Sequence, residues 1–107
     1  MQKIATTGCA SRFAGVLLPL LEADPQVDQI VDLDRVAPSE AYSKLMFCEG
    51  DVRDGRINDL LAGCDTVVHL AFVVGRPYRM PLHEAVDINL RGTWNVCCRR
   101  VSRHDPA

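Results

Sequence analysis

Lys3-Ile-Ala-Thr-Thr-Gly-Cys-Ala-Ser-Arg-Phe-Ala-Gly-Val-Leu-Leu-Pro-Leu-Leu21 is the stretch on which the reading of this chain turns. It reads as strand, tight turn, helix. The strand-like run ends at Thr7, and Gly8 permits a sharp turn. Small residues at Ala10, Ser11, Ala14 and Gly15 keep that turn low, and Val16, Leu17, Leu18, Leu20 and Leu21 carry the helix. Backbone N–H groups and the positive end of a helix dipole then converge just beyond the strand, an arrangement that suits a phosphate. The helix should end before Pro25, because the residue preceding a proline is pushed out of helical geometry. Pro19 removes an interior hydrogen bond at a cost of about 3 kcal/mol, so a kink is expected there.

Working outward, residues 29–34 (Gln-Ile-Val-Asp-Leu-Asp) form a second strand closed by an acid. A helix-sized crossover separates it from the first strand, which makes the pair parallel and the connection right-handed. Residues 44–49 read as a third strand, followed by Gly50-Asp51-Val52-Arg53-Asp54; Asp51 and Asp54 also fit plain turn and cap roles. A short helix over 57–62 stops at Gly63. Residues 66–72 are the strongest strand, apolar enough to be covered on both faces. A loop over 75–81 holds Arg76 and Arg79, read as a solvated loop first and as anion recognition second. Residues 82–100 show rough helical spacing at Ala85, Val86, Leu90, Trp94 and Cys97, interrupted by Gly92; Leu90 and Trp94 read as core. Residues 99–107 lose the pattern and read as an irregular basic tail. Strands alternating with helices imply an α/β fold, a doubly wound parallel sheet in the order 3-2-1-4. Ligands of such sheets lie outside the carboxyl ends of the strands, where the strand order reverses.

Bulk properties narrow the classes. The chain has 107 residues and a formal charge of −2, which bounds it to one domain and argues against nucleic acid as a partner. The apolar runs at 16–21 and 70–74 are far shorter than the roughly 20 residues that cross a bilayer, so no membrane association is expected. The N-terminus enters strand-like sequence without a basic-then-apolar leader, from which a cytoplasmic location is expected. Five cysteines without a C-x-x-C pair favour neither a disulfide framework nor a zinc or other metal site. Cys9 lies near a helix N-terminus, where thiol pKa values can fall; the plainer reading is a small side chain fitted to a turn.

Five motifs occur in order: Thr7-Gly8-x-x-Ser11-x-x-Ala14-Gly15; Asp34; Gly50-Asp51-Val52-x-Asp54; His69-Leu70-Ala71; and Asn89-x-x-Gly92-Thr93-x-Asn95-Val96. Together they resemble the extended short-chain dehydrogenase/reductases, and within them the NAD-dependent epimerase/dehydratase proteins. That family's pattern is T-G-x-x-G-x-x-G, an acid after the second strand, G-D-[LV]-x-D, H-L-A-A and N-[VL]-x-G-T-x-N-[VL]. The resemblance covers the chain up to Val96 but only the first half of a typical family domain, a partial Rossmann-type sheet over residues 1–98.

The resemblance implies a dinucleotide cofactor. The backbone around Gly8, Ser11, Arg12 and Phe13 would cradle its pyrophosphate. Asp34 would accept hydrogen bonds from the adenosine ribose, which favours NAD over NADP because a 2′-phosphate would meet a like charge. Asp51 and Val52 would border the adenine, and Leu70, Ala71 and Phe72 would pass along the cofactor's middle with His69 packed beside it. Asn89 joins the cofactor-binding set as the asparagine that holds the last strands and helix in position.

Departures from the pattern are equally specific. Ser11 replaces the second glycine, Ala14 the third unless Gly15 takes that place, and Phe72 a small residue, while the charge of Arg12 could favour NADP. The family's Tyr-x-x-x-Lys pair, in which lysine lowers the tyrosine pKa for general base work, has no counterpart, since neither Tyr42 nor Tyr78 has a lysine four residues on. No catalytic residue and no substrate-binding half are therefore expected in this chain, which alone should be inactive. Two other readings stand beside the NAD(P)-binding one: a non-catalytic nucleotide-binding or interaction module, and a truncated, non-functional product. An open edge on the fourth strand predicts self-association.

Overall fold

A computed structural model describes the backbone of residues 1–73 and 80–104 and the side chains of all of these but 98–104. The elements follow the order β1 (Gln2–Thr7), α1 (Ala14–Ala23), β2 (Val27–Asp34), β3 (Leu45–Glu49), α2 (Ile57–Leu61), β4 (Thr66–His69) and α3 (Leu82–His104). The four strands form one parallel sheet in the order β3-β2-β1-β4. This is the expected doubly wound α/β arrangement, with the reversal of strand order between β1 and β4.

Period-2 alternation along β1 and β2 sends successive side chains to opposite faces. Ile4 and Ile30 join Cys9, Ala14, Leu18 and Val27 beneath α1. Ala5, Val31 and Leu33 face the other way and meet Ile57 and Leu61 of α2 and Ile88 and Val96 of α3. Each fully buried aliphatic chain of this kind contributes about 1.5–3 kcal/mol relative to exposure. Helix α1 runs unbroken through Pro19; it buries Ala14 and Leu18, spaced four apart, and leaves Val16 and Leu20 in solvent.

Several expectations are corrected by this packing. Strand β4 ends at His69, not at residue 72: the Leu70 N–H is shared between the Thr7 carbonyl and the Thr7 hydroxyl, and the Ala71 N–H turns to that hydroxyl alone. It is half-buried and not covered on both faces. Helix α3 continues to His104, so the tail expected to be irregular from residue 99 is helical for six residues more; residues 105–107 lie outside the described part. Leu90 and Trp94 are 69% and 66% exposed, not core. The inward face of α3 is built instead from Ala85, Ile88, Gly92, Asn95 and Val96. Gly92 is required there, since a Cβ would lie 2.4 Å from Val52 Cγ2. The short helix α2 stops as expected at Gly63, which has φ +77°. No helix among the described residues is long and apolar enough to cross a membrane.

Candidate cofactor site

The strand order reverses beside the end of β1, and the ends of all four strands open there into one cleft of about 290 Å³. Its walls bring together Gly8 and Ser11 from the β1–α1 turn, Asp34 from β2, Asp51 and Val52 after β3, and Leu70, Ala71 and Phe72 after β4. Eight of the residues expected to hold a cofactor thus meet in one place. Arg12 and Phe13 flank an adjoining open hollow together with His69 and Phe72. Arg76 and Arg79 lie outside the described residues.

The floor of the cleft is fixed by backbone proximity. Gly8 has φ +83°, and a Cβ on it would come within 2.8 Å of the Leu70 carbonyl carbon and 2.9 Å of the Ala71 nitrogen. A side chain is excluded both by conformation and by space. The glycine therefore lets two strand ends approach each other, and that approach sets the width of the turn. Gly15 has no neighbour within 4 Å of such a Cβ, whereas Ala14 is 1% exposed against the sheet. The third position of the turn motif, which serves helix-to-strand packing, is therefore filled by Ala14, and Gly15 is not needed for it.

Ser11 stands where the family has its second glycine. Its Oγ accepts the Ala14 N–H at 3.2 Å, capping the start of α1 and leaving its own hydrogen free to donate into the cleft. Among the described residues, no protein acceptor is found for the backbone N–H groups of Arg12 and Phe13, at the same helix end. Orphan donors at a helix N-terminus favour an anion.

Asp34 closes β2 half-buried. One carboxylate oxygen accepts the Ala10 N–H at 3.0 Å and the other the Arg35 N–H at 2.6 Å. These bonds clamp the turn to the strand end and leave acceptor capacity on each oxygen. At the far end of the cleft Asp51 is gripped by Arg53, whose fork keeps its carboxyl below the usual range. Asp54 takes the turn role, accepting the Arg56 N–H at 2.9 Å two residues on, and α2 has no side-chain cap.

The β4 side is held by a relay that the motifs do not announce. Thr7 Oγ1 accepts the N–H groups of Leu70 at 3.0 Å and Ala71 at 3.1 Å, and lies 2.6 Å from His69 Nδ1. With both lone pairs taken, the hydroxyl hydrogen must go to Nδ1. That assigns the proton of His69 to Nε2, which donates to Thr93 Oγ1 on α3 at 3.1 Å. Burial pushes the His69 pKa down, which agrees with a neutral ring. The ring also packs on Phe72, with centroids 4.7 Å apart.

Asn89 does not line the cleft. Its amide accepts the Val73 N–H at 2.8 Å and donates to the Val73 carbonyl at 3.0 Å, so it acts by holding the segment that leaves β4. Asn95 does the same for the opposite wall, donating to the Val52 carbonyl at 3.1 Å. The sequence places both in one motif, but only the packing distinguishes them from ligand contacts.

Two features run against the sequence reading or were missed by it. Cys9 is 3% exposed and burial pushes its thiol up, so the nearby helix terminus does not activate it. Asp32, in the middle of β2, is 1% exposed. Thr6 Oγ1 donates to its Oδ2 at 2.5 Å, and Oδ1 has no hydrogen-bond partner of ordinary geometry. Burial raises its pKa, with the Cys9 thiol and backbone N–H lying against the carboxyl.

No protein-family model matches the sequence. Solved structures do share the fold. Uronate dehydrogenase from Agrobacterium tumefaciens superimposes with a TM-score of 0.77 at 22% identity, over 95% of this chain and 37% of that one. The Bordetella bronchiseptica enzyme WbmH, in complex with NAD+, gives 0.73 at 24% identity over 92% of this chain and 34% of its own. MoeE5, in complex with UDP-glucuronic acid and NAD, gives 0.78 at 26% identity over 94% and 33%. The chain spans about a third of the length of these structures. The structural neighbours thus include a uronate dehydrogenase and two proteins solved with NAD or NAD+ bound, in line with the resemblance carried by the motifs.

Proposed function

We propose that this chain is the NAD-binding, N-terminal half of a short-chain dehydrogenase/reductase of the NAD-dependent epimerase/dehydratase type. The observation that carries the reading is the single cleft into which four strand ends deliver Gly8, Ser11, Asp34, Asp51, Val52 and Leu70 to Phe72. The donor set fits the group end to end. Free N–H groups at the α1 terminus and the Ser11 hydroxyl suit the pyrophosphate, and the spare acceptor capacity of Asp34 suits ribose hydroxyls. The carboxylate of Asp34 disfavours a 2′-phosphate by like charge, so NAD is preferred to NADP. Bound there, the nicotinamide supplies a hydride acceptor or donor. The chain's own residues bind and orient; with no Tyr-x-x-x-Lys in its sequence it does not run the acid–base step alone.

Isothermal titration of the purified chain with NAD and with NADP tests this directly. NAD is expected to bind and NADP to bind at least about tenfold more weakly, the equivalent of about 1.4 kcal/mol. Absence of binding by both removes the reading. Among the described residues β4 pairs with β1 alone, and its open edge supports self-association of the isolated chain. Sedimentation velocity should then show species larger than a monomer; a single monomeric boundary would contradict it.

A further inference from the structure

Resting on the NAD reading above, we infer that Arg53, bridged to Asp87 of α3, is the positioning residue that sets Asp51 as an acceptor for an amino purine at the far end of the cleft. Arg53 itself is not among the residues lining that cleft, whereas Asp51 is. An ionised carboxylate offers roughly four acceptor positions. Asp51 Oδ1 receives the Arg53 backbone N–H at 2.9 Å and its Nε–H at 3.0 Å, and Oδ2 receives Nη2–H at 2.7 Å. Three positions are filled by one residue, and a single acceptor position on Oδ2 is left for a ligand.

That remaining position is specific in sign. Held ionised by the guanidinium, Asp51 can only accept, so it suits the exocyclic amine of adenine and repels the carbonyl oxygen that hypoxanthine or guanine carries at the same ring position. Its orientation is not left to a loop. The second arm of Arg53, Nη1, bonds Asp87 Oδ2 at 2.9 Å, and Glu84 approaches Nη2 at 3.9 Å. Both acids belong to α3, the helix that also holds the neighbouring Val52 through Asn95 and the close approach at Gly92. Arg53 therefore ties the purine end of the cleft to the helix that fixes its other walls. Its planar fork makes the two-sided contact possible, which a lysine cannot reproduce.

The test is the ratio of affinities for NAD and its hypoxanthine analogue, deamino-NAD, measured by titration calorimetry on the wild-type chain and on Arg53→Met, Arg53→Lys and Asp87→Asn. Wild type is expected to favour NAD. Arg53→Met should reduce that preference by about tenfold, the worth of one charge-assisted hydrogen bond. Arg53→Lys should restore part of it, and Asp87→Asn should lose less, in the same direction. A purely structural role for Arg53 would weaken both dinucleotides equally and leave the ratio unchanged. Should Arg53→Met fail to fold, an unchanged ratio in both Arg53→Lys and Asp87→Asn overturns the inference while the NAD reading stands. Failure of the wild-type chain to bind either dinucleotide overturns the NAD reading, and this inference with it.

Discussion

Thr6 and Thr7 are adjacent in β1, yet they serve opposite faces of the sheet and different neighbours. Thr6 stands in register with Asp32 of β2 and donates its hydroxyl to that carboxyl, beneath α1. Thr7 stands in register with His69 of β4 and donates to the imidazole, on the side of α3. One residue-pair motif thus orders one titratable group on each flank of the central strand. The flanks differ in completeness. On the His69 side every polar atom of the relay is satisfied, and the hydroxyl of Thr7 also closes the end of β4. On the Asp32 side Oδ1 has no hydrogen-bond partner of ordinary geometry, with only the Cys9 thiol and backbone N–H lying against the carboxyl. The cleft therefore has one wall built from a finished hydrogen-bond network and one built over a buried acid that is incompletely satisfied.

Isosteric removal of each hydroxyl should expose this asymmetry most strongly. Thr7→Val keeps the shape but strands the Ala71 N–H and the His69 Nδ1, while the Leu70 N–H keeps the Thr7 carbonyl at 3.0 Å, and an unmade buried hydrogen bond costs about 1–3 kcal/mol. A loss of about 2–4 kcal/mol in chemical denaturation is expected, with Thr7→Ser close to wild type. Thr6→Val removes a single donor, and about 1–2 kcal/mol is expected. Equal losses for the two would mean that the second and third bonds of Thr7 contribute nothing.

How far these features could be read from sequence follows from the periods involved. The sheet order was legible because strands and crossovers alternate, and the cleft because glycines and acids fall at strand ends. Asp32 was not singled out: in Ile30-Val31-Asp32-Leu33-Asp34 the alternation assigns it to the same face as Ile30, but the run reads simply as a strand closed by an acid. Leu90 and Trp94 fall at apolar positions of the helical spacing and so read as core. Helix α3 crosses so close to Val52 that its inner face takes Gly92, Asn95 and Ala85, and the bulky residues face outward. Sequence spacing gives the existence of an apolar face; the distance to the neighbouring loop decides which residues are small enough to form it.

Asp32 and His69 should also tilt stability in opposite directions with pH. Burial raises the pKa of Asp32, so the native chain holds a proton that the unfolded chain has released. Stability then falls as pH rises from the ordinary value of 3.8 through the raised one, and the whole contribution is lost above it. Denaturant midpoints between pH 3.5 and 7, taken at about half-unit steps, should show this slope in wild type and a flatter profile in Asp32→Asn, which keeps an acceptor for Thr6. An unchanged slope in the variant would assign the titration to another carboxyl.

His69 gives the smaller effect, because the ring is half-buried and its pKa is lowered by desolvation alone. Protonation has a further consequence that the hydrogen-bond accounting makes specific. A proton on Nδ1 would face the Thr7 hydroxyl, whose lone pairs already receive Leu70 and Ala71. The charged ring must therefore displace one of the bonds that close β4, next to the backbone contact at Gly8. In the window between the lowered pKa and 6.5 the unfolded chain binds more protons than the native one, so stability is complete above that window and declines as pH falls through it. His69→Gln should remove this decline. NAD affinity in wild type should weaken over the same window, since the Leu70 and Ala71 backbone lines the cleft. A parallel loss of affinity in His69→Gln would show that the acid sensitivity arises on the Asp34 and Asp51 side of the cleft instead.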